Sequence, residues 1–295
     1  MSELMFFVNP YTDFGFKKLF GEEASKDLLR DFLNQLLPPH HQIVTLALKP
    51  SHRLGEILER RQAVFDLACE AASGERFVVE MQKAKQNFFK DRTVFYATFP
   101  IREQARLGEW DYRLDAVYCV GILDFVFDDE DHRQDVLTTV RLKDQDGEVF
   151  YDKLTYLYLQ MPNFRKTELE LESHFDKWLY FLKHLARMDA IPQILREPIF
   201  ERGFALASLA AMSEDERDAY DHSLKVYWDL NNVVNTAKDE GLAKGLAQGL
   251  AQGLAEGRAE GRAEGRAEGL NEALQLLLAA GMDEAVARKA LNLTA

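Results

Sequence analysis

The chain is predicted to be an α/β protein with a mostly helical C-terminal region, on three observations. Two short apolar runs, residues 63–69 and 76–82, flank a Ser73-Gly74 turn signal and read as a β-hairpin. Residues 114–125 form a nearly continuous apolar run, the pattern of a strand buried on both faces. Helical periodicity precedes, separates and follows these runs, so helix, strands, helix and strand alternate along the chain. With 295 residues, 47% apolar and 29% charged, the chain can build one large or two modest cores.

Taken in order, residues 13–37 read as a helix with Asp13 as N-cap and Leu19, Phe20, Leu28, Leu29, Phe32, Leu33 and Leu36 as its apolar positions. Gly21 divides this helix in two, and Pro38-Pro39 ends it. Ile43 to Leu48 is a short strand or lead-in to the hairpin. Residues 87–107 are helical, with Pro100 expected to kink or break the helix. After the buried run, Asp128-Asp129-Glu130-Asp131 reads as a solvated acidic loop, because it lacks the alternating ligands and the glycine of a calcium loop. Val136–Val140 and Lys153–Gln160 are further strands. Helical spacing resumes at Thr167, is broken at Pro192 and Pro198, and continues over 199–235, where Ser213-Glu214-Asp215-Glu216 forms a capping box.

From 241 to 270 glycine recurs at every fourth residue, mostly as Gly-Leu-Ala-x and Gly-Arg-Ala-Glu. Ala, Leu, Arg and Glu favour helix, but each glycine costs about 1 kcal/mol relative to alanine, so the isolated helix is marginal. A bare glycine stripe invites close approach of another helix, and self-association through it into a homo-oligomer is the expectation. The expected domains are a core over 1–160, an acidic helical region over 161–240, the repeat over 241–270 and a small helical cap over 271–295.

Chemistry concentrates in the hairpin. If its turn is centred on 72–74, paired positions sum to about 146 or 147, and Asp66 lies opposite Glu80 or Met81. Alternation puts Glu80 and Gln82 on one face and turns Val79 and Met81 into apolar packing. Two carboxylates so close repel unless one takes a proton or a cation sits between them. A hard cation such as Mg²⁺ needs one or two carboxylates and suits phosphodiester hydrolysis. The competing reading is a solvated hairpin face that happens to carry acids.

Other chemistries lack support. There is no nucleophile elbow, Walker loop or Rossmann fingerprint. Cys69 and Cys119 each lie in apolar runs and read as packed thiols. His40, His41, His52 and His184 carry no ligand or catalytic spacing. No basic leader opens the sequence and no run approaches the roughly 18 apolar residues of a membrane span, so a cytoplasmic protein is expected.

The net charge of −13 argues against nucleic acid until its distribution is seen. Residues 1–113 are net zero, residues 114–240 carry −12 and residues 241–295 carry −1. The acidity therefore belongs to the region after the hairpin.

The D-(x13)-E-x-Q pattern of Asp66, Glu80 and Gln82, on a strand reading Val-Glu-Met-Gln, resembles the PD-(D/E)XK nucleases. More narrowly it is similar to their recombination-promoting nuclease (Rpn) or transposase-like branch. Asn9-Pro10-Tyr11-Thr12-Asp13 followed by Phe14-Gly15-Phe16-Lys17-Lys18-Leu19-Phe20-Gly21, then Leu28-Leu29-Arg30-Asp31-Phe32-Leu33-Asn34, resembles the family's opening segment. Arg92-Thr93-Val94-Phe95-Tyr96, Asp176 to Lys183 and the glycine repeat follow in the family's order. The resemblance implies a restriction-endonuclease-like core and a DNA endonuclease dependent on Mg²⁺, with Mn²⁺ or Ca²⁺ as alternatives, linked to recombination, mobile elements or phage defence. It implies Asp66, Glu80 and Gln82 as catalytic residues, Asp66 and Glu80 as metal ligands, Lys17 and Arg92 as phosphate contacts, and Asp13 and Tyr96 as supporting residues. Gln82 stands where the wider superfamily has a lysine and cannot titrate, although its amide can still hydrogen-bond a water. A catalytically weak DNA-binding or assembly protein built on the same fold is the alternative.

Overall fold

The computed structural model describes residues 6–38, 41–49, 66–106, 108–127 and 134–293. The chain divides into two compact units, Met1–Asn231 and Asn232–Ala295. The expected boundary at 160 falls inside the first unit, and the one at 240 falls just after its end.

Two helices open the first unit, α1 (Asp13–Phe20) and α2 (Lys26–Asn34), separated by Gly21 and a short 3₁₀ turn. The N-cap of α1 is Thr12 and not Asp13: the Thr12 side chain accepts from the Gly15 N–H, and Asp13 occupies the first helical turn. A hydroxyl placed one residue earlier reaches the orphan N–H, whereas Asp13 is better placed to complement the helix dipole and pair with Lys17.

One six-stranded mixed sheet follows, from β1 (Leu46–Lys49), β2 (Leu67–Ala71), β3 (Arg76–Gln82), β4 (Val117–Leu123), β5 (Leu137–Lys143) and β6 (Val149–Gln160), in the order β1-β2-β3-β4-β6-β5. Neighbours β3, β4 and β6 run parallel, and the outer pairs are antiparallel. The crossover from β3 to β4 is α3 (Phe89–Arg102). All seven residues of β4 are buried, as its unbroken apolar run predicts for a central parallel strand. Strand β6 begins at Val149, four residues earlier than its alternation shows, where it pairs with β5 across a bulge. Residues 128–133, with the Asp128-Asp131 cluster, lie outside the described residues, as do His40, His52 and the first part of the hairpin run, Ala63 to Phe65.

Pro100 does not break α3. It sits two residues before the helix ends, where the missing N–H costs a single bond, and its carbonyl accepts from Arg76 Nη1 at 3.0 Å and Gln104 Nε2 at 3.2 Å.

Helices α4 (His174–His184) and α5 (Pro198–Ala207) pack with α1 and α2 on one face of the sheet. Pro198 starts α5 instead of breaking a helix, since proline at the first helical turn loses no bond. Trp178 joins these helices. It is fully buried among Phe20, Phe32, Phe181 and Phe200, and its Nε1 donates to Asp31 Oδ1 at 2.6 Å. Residues before and after 160 thus share one core, which contains Phe77, Val79, Val120 and Leu159 from the sheet. The other sheet face carries Val78, Cys119, Tyr156 and Tyr158 against Phe89, Ala97 and Phe99 of α3. Both cysteines are free and buried, and burial raises both thiols.

The capping box at Ser213 forms as read, with Glu216 N donating to Ser213 Oγ and Ser213 N to Glu216 Oε2. It starts α6 (Glu214–Ala279). The first turns of α6 belong to the first unit, where Tyr220 is buried and its hydroxyl accepts from Asn9 N at 2.9 Å. In the second unit α6 continues unbroken through the glycine repeat. Then Gly281, at φ 84°, turns the chain into α7 (Glu284–Ala290), capped by Asp283, with Ala287 and Leu274 buried. No described helix is long and apolar enough to cross a membrane.

Candidate functional site

The hairpin register sums to 146: Leu67 pairs with Val79 and Ala68 with Val78. Asp66 immediately precedes β2, and the same register sets it opposite Glu80. Its Oδ2 accepts from the Met81 N–H at 2.7 Å, closing the open end of the ladder. Phe77 and Val79 point into the main core, with Met81 packed against it, which leaves Val78, Glu80 and Gln82 facing α3.

Helix α3 answers with Arg92. Its Nη2 lies 2.5 Å from Glu80 Oε1 and also contacts Gln82 Oε1, and its Nη1 donates to Gln86 Oε1 at 2.5 Å. The guanidinium carbon lies 5.2 Å from the Phe89 ring centroid and 5.7 Å from that of Tyr96, residues three before and four after Arg92 in sequence. The Glu80 side chain is only 12% exposed, and its buried Oε2 has no hydrogen-bond partner among the described residues. Gly121 of β4 is its register partner, and a Cβ there would meet Tyr158 at 3.0 Å. A cavity of about 10 Å³ between Glu80, Gly121, Tyr158 and Tyr96 is scarcely the size of one water.

Burial dominates the electrostatics. It lifts the Glu80 carboxyl from 4.5 to about 7, with the Asp66 charge adding to the rise and Arg92 only partly offsetting it. Asp66 rises from 3.8 to about 6, again by burial first, with the Met81 N–H opposing. Asp13, Lys17 and Arg92 also act on Asp66, and Tyr96, whose hydroxyl is raised by burial, senses Glu80, Arg92 and Asp66. Six of the seven residues singled out from the sequence thus act on one another electrostatically, and the seventh, Gln82, touches Arg92. Lys17 is paired with Asp13 at 2.8 Å on the exposed face of α1, and Arg92 is turned inward on Glu80.

Lys83, next to Gln82, is turned away from this face. Its Nζ lies 2.6 Å from the Tyr227 ring centroid and donates to the Tyr227 carbonyl at 2.8 Å, and burial lowers its pKa to about 7. Its ammonium is thereby held away from the face that carries Glu80 and Gln82. Gln82 Nε2 donates to Ala84 O at 2.9 Å. Gln86, Gly121 and the Met81 N–H belong to the site but carry no sequence signal, since each acts through register or through the fold of the 83–88 turn.

Among the described residues no three of His, Cys, Asp and Glu gather into a metal-binding group. The carboxylate pair still fits a hard cation, because Mg²⁺ takes one or two carboxylates and completes its shell with waters and substrate phosphate. The unpartnered Glu80 Oε2 is an oxygen of the kind such an ion requires.

A mixed sheet with a hairpin carrying two opposed carboxylates, crossed by a helix that supplies an arginine, defines a nuclease-type α/β core. Residues 10–237 match the PD-(D/E)XK nuclease family transposases, and the chain belongs to that family. No curated protein and no solved structure matches the chain.

Proposed function

We propose that the protein is a divalent-metal-dependent DNA endonuclease of the Rpn type, acting in the cytoplasm in recombination, mobile-element biology or phage defence. The observation that supports this most is the buried, unpartnered Glu80 oxygen opposite Asp66, a pair whose repulsion a cation relieves. A bound Mg²⁺, or Mn²⁺ or Ca²⁺ in its place, would supply positive charge to the scissile phosphate and acidify a water. Asp66 and Glu80 would hold the ion, and Gln82 would orient the attacking water through its amide. Arg92, released from Glu80, and Lys17 are positioned to meet phosphate oxygens. Asp13 pairs with Lys17 at 2.8 Å, and Tyr96 packs beside Arg92. Plasmid cleavage by purified protein in Mg²⁺, Mn²⁺, Ca²⁺ and EDTA tests the reading, with Asp66→Ala as control. Cleavage that persists in EDTA, or in Asp66→Ala, counts against it.

Gln82 is the feature that favours the second reading, a DNA-binding or assembly protein with weak catalysis. Gln82→Lys is expected to keep or increase cleavage, because a lysine at that point restores a charged partner for the water. Complete loss would instead place Gln82 in direct ligation of the metal.

The repeat supports a homo-oligomer. Among the described residues nothing beyond the helix's own backbone lies within 4 Å of where a Cβ would stand on any glycine from Gly241 to Gly269, and Leu242, Leu246, Leu250 and Leu254 are 53–67% exposed. A four-residue period advances about 40° per repeat on a 3.6-residue helix, so helices wrapping along this stripe follow a right-handed path. In sedimentation a chain ending at Glu240 is expected to fall to a smaller assembly than the full chain. Unchanged stoichiometry, with no loss of helix beyond the missing C-terminal cap, would make the repeat a tether.

A further inference from the structure

Residues 85–91, with Phe125 and Phe127 from the segment that follows β4, enclose an open groove of about 300 Å³. Its apolar wall is Phe89, Phe125 and Phe127, with ring centroids 5.7–6.2 Å apart. Lys85, Lys90 and Asp91 are the charged residues among its described lining, and the Lys90 ammonium lies 4.8 Å from the Phe127 centroid. The volume suits one small ligand or nucleotide and is too small for a duplex.

Phe88 is the residue in this groove that the fold does not explain. Its backbone is left-handed, at φ 61° and ψ 28°, a conformation disfavoured for a bulky L residue, and its ring is 79% exposed. Neither backbone preference nor burial holds a phenyl group there, and asparagine would satisfy the turn better. An exposed ring on a phenylalanine-lined groove between two lysines has the chemistry that receives an unpaired base, with π faces to stack on and ammonium groups for the flanking phosphates. Gln86 links the groove to the carboxylates, since it lines the one and accepts from Arg92, which holds Glu80.

We infer that this groove binds an unpaired nucleotide of the DNA strand to be cut, with Phe88 stacking on its base and Lys85 and Lys90 meeting the adjacent phosphates. The inference rests on the nuclease reading above and adds to it a preference for single-stranded or locally unpaired DNA.

Binding of the full-length protein in EDTA to a single-stranded oligonucleotide carrying 2-aminopurine, and to the matching duplex, tests it. Wild type is expected to bind the single strand more tightly and to quench the probe by stacking. Phe88→Asn, which suits a left-handed backbone and should melt no lower than wild type, is expected to weaken single-strand binding on the order of ten-fold and abolish the quench. It should leave duplex affinity within about two-fold, and Phe88→Trp should restore single-strand binding. Single-strand binding unaffected by Phe88→Asn, or an equal loss on duplex, would overturn this inference alone. Failure of wild type to bind the single strand would also overturn it, and absence of cleavage in Mg²⁺ and Mn²⁺ as well would remove the nuclease reading together with it.

Discussion

Asp66→Asn and Glu80→Gln are each expected to reduce metal-dependent cleavage by more than about 100-fold, since loss of groups merely supporting a metal ligand already costs about 10–100-fold. The neutral isosteres are chosen because Asp66 accepts from the Met81 N–H, and an alanine there would leave that donor at the end of the ladder without its acceptor. Asparagine keeps an oxygen for it while removing the negative charge that binds a cation. Glutamine at 80 likewise keeps an acceptor for Arg92. Cleavage should be measured beside the thermal shift that Mn²⁺ produces: both should vanish in both variants, with far-UV circular dichroism unchanged. Asp66→Asn cleaving like wild type would dismiss the site, and cleavage lost with the Mn²⁺ shift intact would move the metal elsewhere.

The hairpin was legible because its information is local. Ser73-Gly74 fixes the turn, the turn fixes the sum of paired positions, and alternation then assigns Glu80 and Gln82 to one face. The buried β4 was legible for the same reason, its seven residues lying wholly inside the apolar run 114–125. What was not legible depends on packing between distant segments. Arg92 reaches Glu80 only because α3 crosses the sheet between parallel β3 and β4, and nothing in the sequence around Arg92 distinguishes an inward guanidinium from a surface one. Lys83 is held by Tyr227, 144 residues away. The shared core around Trp178 likewise joins segments on both sides of residue 160, where the last expected strand ends and helical spacing takes over. The small errors are those of capping and proline position. Thr12 and Asp13 are both good caps and only geometry chooses between them, and Pro198 can end one helix or begin the next.

Glu80→Gln is also expected to stabilise the metal-free protein above neutral pH, by about 3 kcal/mol, while it destroys activity. The sign follows from the direction of the shift. The Glu80 carboxyl titrates at about 7 in the fold against 4.5 when unperturbed, so the folded state holds its proton more tightly than the unfolded state does. The Glu80 contribution to stability is therefore greatest below about 4.5, falls as pH rises through the interval from 4.5 to about 7, and is level beyond it. Asp66 adds a fall over the lower window from 3.8 to about 6. Glutamine resembles the protonated acid, so the variant should lose the Glu80 part of this decline and keep the Asp66 part. Lys83, lowered by burial to about 7, acts in the opposite sense above that pH, but equally in both proteins. Urea denaturation in EDTA at pH 5 and pH 8, followed by tryptophan fluorescence, measures the difference. Wild type should lose stability between the two pH values, and Glu80→Gln should lose less. At pH 8, Mg²⁺ or Mn²⁺ should restore wild type and leave the variant unchanged, because the cation neutralises the same buried charge that the substitution removes. Parallel pH profiles for the two proteins would mean that the Glu80 carboxylate is comfortably solvated or fully paired with Arg92, and the case for a cation between Glu80 and Asp66 would lose its electrostatic basis.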